Sequence, residues 1–104
     1  MNDGRLKLHA ELVVILGSNN IYFQAPESIK MQYPAIVYTR MDIEKVHASD
    51  KVYDQTIKYR VTVLDKDPDS EIVEKLSNMP FAVFDRHYVS NGINHDQFIV
   101  SYKK

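Results

Sequence analysis

The sequence predicts an α+β domain, with two helices packed on one face of a mostly antiparallel β-sheet in the order α-β-β-β-α-β-β and with a projecting β-hairpin. Three observations carry this expectation. Residues 53–65 alternate between apolar and polar side chains, as in a strand half buried and half wet. Asn91-Gly92 sits between two strand-like runs near the end of the chain, and this pair is the strongest short hairpin signal. Helical apolar spacing appears before Gly17 and again after Pro68, so helices flank a run of strands instead of alternating with every strand.

Taken in order, residues 4–16 read as a helix with Leu6, Ala10, Val13 and Leu16 on one stripe and Gly17 as its stop. "IYFQAP" (21–26) is a short extended piece ending at Pro26. "YPAIVYTRM" (33–41) is β-branched and aromatic, and Pro34 suits only a first or edge position. From Tyr53 to Asp65, Tyr53, Ile57, Tyr59, Val61 and Val63 share one face, while Asp54, Thr56, Lys58, Arg60 and Thr62 share the other. Thirteen residues of strand span roughly 43 Å, against a diameter of about 33 Å for a compact globule of this size. Part of the strand should project, with the polar stretch "DIEKVHASDK" (42–51) forming the tip of the arm.

"LDKDPDSEI" (64–72) spaces four carboxylates on alternate positions, as the start of a calcium loop does. Such a loop starting at Asp65 needs glycine at its sixth position and glutamate at its twelfth, and these are Ser70 and Leu76. Helix entry explains the run better. Asp67 serves as N-cap, Pro68 takes the first helical position, and Asp69 and Glu71 face the positive end of the helix dipole. Ile72, Val73, Leu76 and Met79 give the buried stripe, and Pro80 ends it.

Composition narrows the function classes. The 104 residues suit one domain, 1–104, and a net charge of −1 offers no long-range pull toward nucleic acid or an anionic membrane. Cysteine is absent, which excludes disulfides and thiolate zinc sites and fits a reducing cell interior. The longest apolar run, Leu12–Leu16, falls far short of a bilayer span and lacks the layout of a secretion signal. The expectation is a soluble, untargeted domain.

Catalytic patterns are scarce. A two-residue turn at Asn91-Gly92 makes cross-strand partners sum to 183, so Tyr88 faces His95 and His87 faces Asp96. The two histidines then point to opposite faces and share no metal ion. Asp85, His87 and Asp96 fall on one face, where a carboxylate beside an imidazole could act as a base or as part of a metal site. An ion pair at a hairpin end is the commoner reading, and a one-residue bulge would undo the grouping. No Gly-x-Ser-x-Gly elbow and no phosphate-cradling loop is present. The seven tyrosines suit core and subunit contact better than base stacking, since Tyr53 and Tyr59 lie on the apolar face and no basic groove accompanies them.

Several strings, taken in order, resemble small tail-completion proteins of long-tailed phages and prophages, the tail-terminator or head-to-tail joining group. They are "YPAIVY", then "KYRVTVLDKDPDSEIVEKLSNMP", then "FDRHYVSNGINHDQFIVSY", running from about residue 20 to the end. The resemblance implies a virion structural protein that is neither an enzyme nor a cofactor binder. It implies a hexameric ring on the end of the tail tube, which stops tube polymerisation and docks to the head connector. Its partners would be other copies of itself, the major tail tube protein and the head-completion protein, with no membrane and no sequence-specific nucleic acid. Its place would be the tail end of the virion, reached from the host cytoplasm during assembly. The group offers no compact set of functional residues, so a surface is named instead. It is the arm, with Asp42, Glu44, Lys45, His47, Asp50, Lys51, Tyr53 and Asp54, whose alternating charges suit a specific, reversible contact. Strand addition at the strand starting at Pro34 is a second route. The rival readings are a small adaptor that binds a peptide at its sheet edge and a metal-dependent enzyme built on Asp85, His87 and Asp96.

Overall fold

A computed structural model describes residues 3–24, 32–48 and 51–103, with side chains described for 5–24, 32–41 and 56–101. Its elements follow the expected order: α1 (Asp3–Leu16), β1 (Ile21–Phe23), β2 (Ala35–Ala48), β3 (Lys51–Asp65), α2 (Glu71–Ser77), β4 (Ala82–Ser90) and β5 (Ile93–Lys103). The five strands form one sheet in the order β1-β2-β3-β5-β4. β1 runs parallel to β2 and all other neighbours are antiparallel.

The alternation in β3 is what places the core. Tyr59, Val61 and Val63 are fully or almost fully buried, beside Ile36 and Tyr38 of β2 and Phe98 and Val100 of β5. Leu8 and Leu12 of α1 and Ile72 and Leu76 of α2 close the same cluster, so both helices cover one face, as the sequence predicts. The opposite face carries Thr39, Lys58, Arg60, Thr62 and Gln97, all half-buried.

Several local expectations change. The fully buried residues of α1 are Leu8 and Leu12; Val13 and Leu16 pack against the core as expected, while Leu6 and Ala10 are exposed. Apolar residues at every position from 12 to 16 leave the stripe ambiguous in sequence, and the i, i+4 pair facing the sheet decides it. Gly17 does stop the helix. Its φ of +79° is the left-handed conformation open to glycine, and its N–H donates to the Val13 carbonyl at 2.9 Å.

The helix cap moves by three residues. Asp65 Oδ1 accepts the Asp67 N–H at 3.0 Å and Asp67 Oδ1 accepts the Asp69 N–H at 2.9 Å. These side-chain turns compete with helix formation, so Pro68 lies in a turn and α2 starts only at Glu71. Ser70, not Asp67, is the N-cap, its Oγ accepting the Ile72 N–H at 3.2 Å. The strand after Pro34 is not a free edge at its start either, because Ile21–Phe23 pair with Ile36–Tyr38. Ala25 and Pro26 lie outside the described residues.

Candidate functional site

β2 and β3 pair from Ala35↔Leu64 to Ala48↔Lys51, so most of the stretch expected as a polar tip is itself strand. The pairing of β1 with β2 ends at Phe23↔Tyr38, and β5 begins to pair with β3 only at Thr56↔Lys103. Among the described residues, Lys45–Ala48 and Lys51–Gln55 therefore pair only with each other, a two-stranded ribbon reaching about 15 Å past the sheet at about 3.3 Å per row. The molecule accordingly measures 51 × 25 × 23 Å. Register shifts at Arg40/Asp42 and at Val46/His47 leave Met41 and Tyr53 without a row partner, and such bulges tighten the twist of a ribbon.

Of the expected arm residues, Lys45, His47, Lys51, Tyr53 and Asp54 lie on this ribbon by backbone position, whereas Asp42 and Glu44 pair with Lys58 and Thr56, where β3 is also paired with β5. Their side chains, and Asp50 altogether, lie outside the described residues.

The Asn91-Gly92 turn forms as expected, with φ of +53° and +75°, the left-handed pair of a two-residue hairpin. The 183 rule holds from Ser90↔Ile93 through Arg86↔Gln97, and Tyr88 stacks on His95 at 4.5 Å between centroids. His87 Nδ1 lies 2.8 Å from Asp96 Oδ1, with Asp96 buried beneath. The expected three-residue cluster is not completed. A bulge after Phe84 places Asp85 outside the register, its carboxylate 3.7 Å from Arg86 Nε. Among the described residues no three His, Asp or Glu side chains gather as metal ligands would.

The sequence reading overlooked two features. β4 forms an outer edge of the sheet, and Val83, Phe84, Tyr88 and Val89 are all exposed along it. Ahead of it, Phe81 holds a φ of +65° and is 76% exposed, an uncommon conformation for a bulky residue. The run "FAVFDRHYV" reads as an ordinary strand, and nothing in its spacing reveals that it ends the sheet. An open groove of about 420 Å³ also lies between the helices, lined by Ala10, Val14, Ile15, Met79 and Pro80, with Glu11, Lys75 and Asn78 completing its walls.

Burial raises the phenol pKa of Tyr38, against the opposing pull of Arg5 through a hydrogen bond and its charge. Burial raises that of Tyr59 as well. Tyr38 Oη lies 2.8 Å from His9 Nδ1, and Arg5 sits over the Phe23 ring at 4.7 Å. This cluster ties α1 to β1 and β2. No helix is long and apolar enough to cross a membrane among the described residues. No protein-family model matches the chain, and no curated protein matches it significantly.

Proposed function

We propose that this chain is a structural assembly protein that caps the end of a phage tail tube as a closed ring, stopping tube growth and joining tail to head connector. The observation that supports it is the ribbon formed by Lys45–Ala48 and Lys51–Gln55, which has no third strand on either side among the described residues. A two-stranded ribbon is marginal in water by itself, so its natural use is contact with a neighbour. A ring requires one patch to meet a different patch on the next subunit with a rotation that closes, and a feature projecting from one end supplies such an asymmetric contact. The resemblance to tail-terminator proteins supplies the subunit number, six, and the partners, which are the tail tube protein and the head-completion protein. No catalytic step is assigned to the chain.

Removing residues 44–51 leaves Val52–Thr56 as a loop closing the Ile43↔Ile57 row. The expected product is a folded monomer that no longer forms rings and no longer caps tail tubes in negative-stain images. A deletion variant that still scatters light as the ring overturns the assignment of the arm. Wild-type protein that leaves tubes uncapped overturns the reading as a whole. The exposed strand β4 favours one second reading, an adaptor that takes an extended peptide along this edge. Binding of a peptide by monomeric protein, with no effect on tail tubes, would select it.

A further inference from the structure

The sheet has two unfinished edges, and they match. On one side, among the described residues, no strand pairs with the outer side of β2 from Thr39 to Ala48, a stretch of ten residues, because the β1 pairing ends at Phe23↔Tyr38. On the other side, no described strand pairs with the outer side of β4 over its nine residues, Ala82–Ser90. Exposed edges of this length are ordinarily blunted, because their free N–H and C=O groups template pairing with another chain. β4 does carry a bulge, yet it keeps Val83, Phe84, Tyr88 and Val89 exposed.

We infer that in the assembled protein β4 of one copy pairs with β2 of the next, from Thr39 onward, so that the sheet runs unbroken from subunit to subunit. This inference rests on the ring reading above and names the contact that would close it. Direction fits first. From β2 through β3 and β5 to β4 every pair is antiparallel, so β4 runs opposite to β2. A similarly oriented neighbour presents its β2 antiparallel to β4, the arrangement with the stronger ladder.

Stagger fits next. The middle of β4, Arg86, is level with Gln97, Thr62 and Val37 across the sheet. The middle of the open part of β2 lies about six residues further along, or about 20 Å at about 3.3 Å per residue. One subunit adds four strands between one β2 and the next, about 19 Å at about 4.8 Å per strand. A rise of this size over that width tilts the strands by about 45°, at the upper end of the tilt that closed barrels require.

Backbone groups are in place as well. The Ser101 N–H donates to the Phe81 carbonyl at 3.1 Å, which marks that row as bonded to β5. Alternation then turns the Phe84 N–H outward, and counting back from the Ser90↔Ile93 row of the two-residue turn does the same for His87 and Val89. Phe81, fixed at a positive φ with its carbonyl held by Ser101, stands at the end of this edge as an aromatic anchor.

The test is hydrogen–deuterium exchange on the full chain, dilute and assembled, combined with Val89→Pro and Val89→Lys variants. Proline at position 89 removes only an outward-facing N–H and is tolerated on an edge, while lysine places a charge there without touching the backbone. Expected are slower exchange in 82–90 and in 39–48 on assembly, together with loss of rings in both variants at an unchanged melting temperature. Rings, or capped tail tubes, in which both segments exchange as in the monomer overturn this contact and leave the ring reading standing. Val89→Pro and Val89→Lys proteins that both assemble like wild type overturn it too.

Discussion

Phe81 and Asn91 both take positive φ, +65° and +53°, yet only Asn91 is a residue that tolerates it well. At 76% exposure the Phe81 ring gains little from burial in the monomer, so its backbone strain is uncompensated there. Phe81→Asn should therefore stabilise the monomer by about 0.5–1 kcal/mol, read as an increased midpoint in urea, and should weaken assembly if the ring is an anchor. The buried tyrosines set a second expectation. The folded-state pKa of Tyr59 lies above its ordinary value because burial disfavours the phenolate. The stability it contributes is complete below the unfolded phenol pKa, near 10, and is lost as pH rises through the higher folded value. Unfolding midpoints should fall above about pH 10, and Tyr59→Phe should flatten that fall. An equally steep fall in the variant would assign it to other groups.

Among the elements, α2 shows most sharply what sequence conveys and what it conceals. Its existence and inward residues, Ile72 and Leu76 with Val73 and Met79 beside them, were legible from helical spacing. Its start was not, because Asp65 and Asp67 offer side chains equally able to cap a helix or to close their own turns, and the turns win. Ser70→Ala should cost about 1 kcal/mol, whereas Asp67→Ala should leave α2 nearly as stable, measured by urea denaturation. The reverse order would restore Asp67 as the cap. The hairpin register was readable through the Asn91-Gly92 turn, since turn length fixes pairing. The bulge at Asp85 was not, because it depends on how Phe84 settles against Phe98, 5.5 Å away in an edge-to-face pair. For that reason the expected Asp85, His87 and Asp96 grouping reduces to the single contact of His87 with Asp96. The stripe of α1 was blurred by its surplus of apolar residues, whereas β1 was legible as the short extended piece that begins at Ile21.

For the whole molecule, a length argument foretold the shape: a strand longer than the globule that holds it must stick out, and the 51 Å long axis follows. That β4 ends the sheet was not foretold, because strand order depends on contacts between distant segments that periodicity does not record. The order β1-β2-β3-β5-β4 has a kinetic consequence. β2 with β3, and β4 with β5, are each joined by a tight connection and can zip locally, on the microsecond scale of isolated hairpins. β3 and β5 meet only after α2 and all of β4 have been threaded between them, so this seam has the largest loop-closure entropy among the antiparallel pairs. The rate at which the chain reaches its native state should therefore be set at the β3–β5 seam, and substitutions at Val61 and Phe98, which face each other across it, should slow folding more than equal losses of stability in either ribbon.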